Sequence, residues 1–284
     1  MEAIGQIRDL VTFERPPLNE VYLSVQFATD VSDEAVALAE FWPLIRADFP
    51  TLERHPALPP VEETFDVPPK VGPPNLPFRI GTGAMPQRYW FVSADSTRLV
   101  QVQPDRFLFN WRRVRPDDEY PRFRALVPEF ERLFEAFVQV LSADQRKAAT
   151  AAWAEVGYIN HVDAPDELRP GGHISLDRIF TFVSKIDATA FDPVEDMQLQ
   201  VRSTIRDDGD APLGRIYLSA TPAYRNADQM PIYVVELIAR GRPGGSEPKD
   251  LANFFARGRE MVVDAFCSVT TTEMHDAWGL RTKS

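Results

Sequence analysis

A chain of 284 residues fits one large domain or two modest ones, and 44% hydrophobic with 26% charged residues is a balance that builds a sizeable core. A formal net charge of −11 argues against a protein devoted to nucleic acid, because neutralising phosphates takes an excess of Lys and Arg. The single cysteine, Cys267, excludes an internal disulfide and a cysteine-built metal site, and neither a signal peptide nor an 18-residue apolar span is visible, so the expected setting is the reducing cytoplasm, with no membrane contact.

"EVYLSVQFA" (20–28) has the β-branched and aromatic mix of a strand. Ser32 stands ahead of Asp33 and Glu34 as a helix N-cap would, and Val36, Phe41, Leu44, Ile45 and Phe49 continue an amphipathic helix that Pro50 helps to end. The prolines of 55–78 forbid a regular helix and a central strand and predict an extended excursion. "RYWFVSA" (88–94), "TRLVQVQ" (97–103) and "RFLFNWRRV" (106–114) read as a β-meander, with Pro104 suited to the turn in "QPDR". In its last strand Phe107, Phe109 and Trp111 share one face, as core residues do, while Asn110 and Arg112 share the other. Phe123 to Leu141 carries a 3.6-residue apolar stripe, and "SADQ" (142–145) is a capping box.

The second half follows the same order. "AEVGYINHVD" (154–163) is a strand, "HISLDRIFTFVSKI" (173–186) reads as a helix, and three strands follow at 197–206, 214–224 and 231–241. A long helix (247–266) capped by Ser246 and a short one opened by Thr270 and Glu273 close the pattern, with Gly279 as the terminating glycine. The expected fold class is α+β: two pseudo-repeated strand–helix–three-strand–helix units, 1–152 and 153–284, sharing a mainly antiparallel sheet with long helices on one face. The opposite face must then be solvated, covered by the proline-rich segment, or occupied by a ligand or partner.

Chemistry is harder to find. No phosphate-binding loop, dinucleotide fingerprint, nucleophile elbow or zinc-protease motif occurs, and no cofactor or metal is expected. His161, at a strand end with Asn160 and Asp163 nearby, is the one histidine placed as a base would be; with Asp163 it forms the catalytic candidate of a hydrolase reading. The acid clusters Glu62–Glu63, Asp117–Asp118–Glu119 and Asp207–Asp208 read as caps, turns or solvated loops. The aromatic and basic hairpin leaves Gln101, Gln103, Asn110, Arg112, Arg113 and Arg115 as candidate binding residues, for a protein partner, for self-association, or for bases and phosphates.

"WFVSADSTRLVQVQPDRFLFNWRR", "DDEYPRF", "GYINH" and the late "HDAWG" together resemble a sporadically distributed bacterial family of about this length whose function is not established. The resemblance runs from "PPLNEVYLSVQF" to "AWG", carries no catalytic residues across, and implies a mobile-element or defence setting. The expectation is a non-catalytic binding or accessory module, acting through the open sheet face or the arginine-rich hairpin.

Overall fold

In the computed structural model, residues 10–65, 86–163, 172–186, 194–207, 209–245 and 247–281 are described. Nine strands form one antiparallel sheet: β2 (Leu18–Phe27), β3 (Thr51–Pro56), β4 (Gln87–Val92), β5 (Arg98–Gln103), β6 (Arg106–Arg112), β7 (Ala151–Val162), β8 (Leu199–Arg206), β9 (Pro212–Tyr224) and β10 (Pro231–Gly241). Their spatial order is β3-β4-β5-β6-β2-β7-β10-β9-β8, so the two halves of the chain meet where β2 pairs with β7. A separate short ribbon pairs β1 (Thr12–Phe13) with β11 (Leu280–Arg281).

Seven helical elements accompany the sheet among the described residues. A π-helical turn, Val36–Phe41, runs into α1 (Trp42–Ile45). The long helices are α2 (Phe123–Val140) and α5 (Pro248–Val269); α3 (Ala143–Ala148), α4 (Leu176–Ile179) and α6 (Thr272–Trp278) are short. The expected α+β class is what the structure shows, with two differences of detail. The first half has four strands after its helix, because β3 extends into the start of the proline-rich stretch; as an edge strand it tolerates Pro56 at its end. The helix expected over 173–186 shrinks to Leu176–Ile179, since Phe180 instead bridges to Thr270 and Thr181 N–H donates to Val269 O.

Caps also move. Ser32 Oγ donates to Gln103 O, and Asp33 is the residue that accepts a helical N–H, from Val36. Thr271, one residue later than expected, caps α6 by accepting from Met274 N–H, while Ser142 and Gln145 form the capping box of α3 as its sequence predicts. Ser246 lies outside the described residues.

Strand parity divides the sheet into two unlike faces. Val21, Leu23, Val25, Phe107, Phe109, Trp111, Val100, Val102, Val156, Leu237 and Ala239 point to one side and are almost fully buried. There α2 supplies Phe130, Phe134 and Phe137, all packed against Phe107. On α5, Gly258 permits close approach: a Cβ there would stand 3.0 Å from Val156 Cγ2. Each such phenylalanine contributes roughly 1.5–3 kcal/mol through burial, so this face carries the fold.

Candidate binding site on the polar face of the sheet

Opposite residues share a face, so the pairs Glu20–Arg112, Tyr22–Asn110 and Gln26–Arg106 between β2 and β6 stand on the side away from the helices. Trp90 and Gln101 join them across β4 and β5, and Glu155 pairs with Arg240 across β7 and β10. Residues 57–65, the first part of the proline-rich stretch, lie across this face as a strap. Leu58 and Gln103 exchange two hydrogen bonds, as do Val61 and Gln26, and Arg106 donates to Pro59 O at 2.9 Å.

The far end of the strap is latched by charge. Glu63, a buried carboxylate, pairs with Arg215 at 3.0 Å and Arg240 at 2.8 Å and accepts from the Tyr217 hydroxyl. Arg240 also donates to Glu155. Burial alone would push the Arg240 guanidinium down; Glu155 and Glu63 outweigh it and hold it above its ordinary value. Burial and the Glu63 hydrogen bond push Tyr217 up to about 12. Glu63, expected in a solvated loop, is thus an anchoring residue: a buried carboxylate is tolerable only when its charge is met.

Beside the strap lies a cavity of about 470 Å³. Its wall includes Arg88 and Trp90 from β4, Gln101 from β5, Arg106 and Asn110 from β6, Glu20 and Tyr22 from β2, and Glu155, Glu236 and Arg240 from β7 and β10. A hydrogen-bond chain crosses it: Gln101 Nε2 donates to Asn110 Oδ1 at 2.9 Å, and Asn110 Nδ2 donates to Glu20. Gly157 lies under the ring of Tyr22, which lines the cavity. A Cβ there would fall 2.0 Å from the Tyr22 ring, so only glycine lets that ring lie across β7.

Four buried polar atoms lining this cavity have no partner: Arg88 Nε, Trp90 Nε1, Arg106 Nε and Gln101 Oε1. Gln101 and Arg106 are each only 4% exposed. A buried polar group left unsatisfied costs about 1–3 kcal/mol, so four around one space are a concentrated expense. Trp90 is fixed between His55, stacked at 3.9 Å, and the guanidinium of Arg88, 5.2 Å from its ring. Burial lowers the pKa of Arg88, and repulsion from Arg106 adds to it; burial likewise lowers Arg106. On the acidic side burial raises Glu20 and Glu236, with Glu155 and Glu20 raising Glu236 further, and burial with the neighbouring carboxylates lifts the Tyr22 phenol well above its usual range.

The candidate residues named from sequence are distributed as follows. Gln101, Asn110 and Arg112 line the cavity, Gln103 holds the strap, and Arg112 is also tied through Nε to Ser96 O. Arg113 and Arg115 lie beyond β6; Arg113 N–H donates to Asn19 O, and Arg115 is exposed at a turn held by Asp118. His161 and Asp163 are not hydrogen-bonded to each other. Asp163 instead pairs with Arg225 at 3.0 Å, and burial with Arg225 and Arg113 lowers the His161 pKa. Asn160 points to the opposite face, where it donates to Val235 O. Burial pushes the Cys267 thiol up to about 11, away from nucleophilic use.

Sequence reading passed over Arg88, Trp90, Glu20, Tyr22, Glu155, Glu236 and Arg240. Their signal was parity: in each strand they alternate with the buried apolar positions. A second cavity of about 320 Å³ lies among β1, α2 and α5, lined by Phe13, Phe123, Val262 and Phe266; Tyr120 and Tyr158 there meet hydroxyl to hydroxyl at 3.3 Å. None of the polar side-chain atoms lining it is both buried and without a partner, which distinguishes it from the first.

Among the described residues no group of three His, Cys, Asp or Glu side chains could hold a metal, and no helix is long and apolar enough to cross a membrane. No family model, curated protein or solved structure matches the chain.

Proposed function

We propose that the protein is a non-catalytic binding module that holds a small polar molecule on the polar face of its sheet, beside the strap. The observation that carries this reading is the convergence of Arg88 Nε, Trp90 Nε1, Arg106 Nε and Gln101 Oε1, all buried and without partners, on one cavity. The cavity's volume of about 470 Å³ falls within the range of small-molecule sites, roughly 300–1,000 Å³. The floor is rigid, because strand pairing fixes it on both sides, so the polar groups are pre-arranged and need not be ordered on binding. The strap closes one flank without filling the space.

Retention of small molecules tests this reading. The protein is mixed with a cellular small-molecule extract, washed by ultrafiltration and denatured, and the released compounds are identified by mass spectrometry. At least one compound should be retained by the native protein and lost from the Gln101→Leu and Arg106→Met variants. Equal retention by all three, or no retention by any, overturns the reading.

A further inference from the structure

We infer that the ligand is a 2-hydroxy acid with an apolar side chain: a carboxylate, a hydroxyl on the next carbon and a short hydrocarbon branch. This deepens the proposed binding function and rests on it. Strand register gathers the unpartnered atoms into one patch. Trp90, Gln101 and Leu108 form a row across β4, β5 and β6. Because β4 and β6 run in the same direction, Arg88 and Arg106, two residues before Trp90 and Leu108, lie on the same side of that row. The patch is about 10 Å across, two interstrand spacings, and about 7 Å along the strands, two residues. Side chains the length of arginine converge over such a span.

Three N–H donors in this patch, Arg88 Nε, Trp90 Nε1 and Arg106 Nε, and one acceptor, Gln101 Oε1, have no partner among the described residues. The donors suit the oxygens of an anion; the acceptor needs an O–H or N–H on the same ligand. Neither guanidinium is paired with a carboxylate of the described residues. Arg88 contacts the Trp90 ring, and Arg106 donates to oxygens of Gln26 and Pro59. Glu155 and Asp105 act on Arg106 from a distance, but Glu155 is bound by Arg240 and Asp105 by Gln103. A carboxylate between the two arginines relieves their mutual repulsion.

The surroundings of Gln101 select the donor. An ammonium there would stand beside two guanidinium groups that repel it, whereas a hydroxyl is neutral. Phosphate fits less well. It loses its second proton at about pH 6, and two guanidinium groups favour that loss, so it would meet Gln101 Oε1 with no hydrogen to donate. The remaining neighbours are apolar. Leu108 stands opposite Gln101, Leu99 lies two residues from it on β5, and Leu58 and Val61 of the strap line the same cavity. That wall suits a hydrocarbon branch.

The test is a calorimetric titration of the intact protein with 2-hydroxyisocaproate, each enantiomer separately, and five comparison probes. Isocaproate lacks the hydroxyl, L-leucine replaces it with an ammonium, lactate lacks the hydrocarbon branch, 4-methylpentane-1,2-diol lacks the carboxylate, and inorganic phosphate is an anion alone. One enantiomer of 2-hydroxyisocaproate should bind tightest, and every comparison probe should bind roughly tenfold or more weakly. Gln101→Leu should bring 2-hydroxyisocaproate down to the affinity of isocaproate and leave isocaproate no weaker. Arg88→Met should weaken all the carboxylate probes together and leave the diol unchanged.

A second readout is the indole ¹⁵N–¹H resonance of Trp90, assigned with Trp90→Phe, which should shift on adding 2-hydroxyisocaproate. Isocaproate, leucine or phosphate binding as well as the hydroxy acid, hydroxy-acid binding unaffected by Gln101→Leu, or no hydroxy-acid binding with an unmoved Trp90 resonance overturns the inference. If the extract experiment then yields a retained compound that is not a hydroxy acid, the binding function stands and only the ligand class falls. If it yields nothing, both fall.

Discussion

The two faces of the sheet are built on opposite rules. On the helix side the central strands present apolar side chains, and the rings of α2 and α5 close over them. On the strap side the same strands present arginines, glutamates, glutamines and tyrosine, tied together in part and unsatisfied in part. A chain selected only for stability would have made the second face like the first, or left it open to water. Native proteins break local rules at functional sites and compensate elsewhere, and the compensation here is the unusually aromatic helix side.

The contrast can be broken or sharpened by substitution. The largest effect should come from the helix side: Phe107→Ala removes a ring fully buried among Phe41, Phe130, Phe134 and Phe137. It should cost about 3–5 kcal/mol, read as a lower midpoint in urea. A loss under about 1 kcal/mol would mean that this face is not the structural one. Next, Glu63→Ala leaves Arg215 without its carboxylate and Arg240 with Glu155 alone. About 2–3 kcal/mol should be lost, and limited proteolysis should open the strap at 57–65 before the sheet unfolds.

Gly157→Ala should cost about 1–3 kcal/mol through overpacking against Tyr22. Adding Tyr22→Ser should recover much of that loss, whereas simple additivity would show that the ring does not need the glycine. Gln101→Leu should change stability by less than about 1 kcal/mol, because it removes a buried orphan acceptor along with one hydrogen bond, yet abolish retention of the bound compound. Stability and binding would then part company at a single residue.

The smallest effect concerns Glu236. Its carboxyl pKa is raised in the folded protein, so the folded state binds the proton more tightly than the unfolded chain does. That contribution is fully present below the unfolded carboxylate range and is lost as pH rises through the folded value. Glu236→Gln should therefore raise the melting temperature slightly at pH 7–8 and leave it unchanged near pH 4; the reverse pattern would show that Glu236 is met by a cation in the free protein.

Much of the helix side was legible in the sequence because its information is local. Alternation of Phe107, Phe109 and Trp111, and the stripe from Phe123 to Leu141, assign core positions without any knowledge of partners. The cavity was legible only as leftovers, such as Gln101 and Asn110, the residues that parity turned away from the core. "RYWFVSA" was read for its apolar positions, so Arg88 and Trp90 were passed over. Glu63 could not be seen at all: its partners lie on β9 and β10, and nothing within a few residues of it announces them. The short α4 has a similar cause, since the Phe180–Thr270 bridge that replaces the expected helix is also long-range.

The latch has a kinetic meaning as well. Glu63 and Arg240 are 177 residues apart in the chain, so their ion pair closes a very large loop and can form only once both halves are paired through β2 and β7. Non-local closures of this kind come late and open early relative to locally paired strands. Amide exchange should therefore find the strap the first region to open, with the helix-covered strands still protected. A ligand bound beside it would slow that opening by mass action, and exchange at 57–65 would then report the occupancy of the cavity without any need to observe the ligand itself.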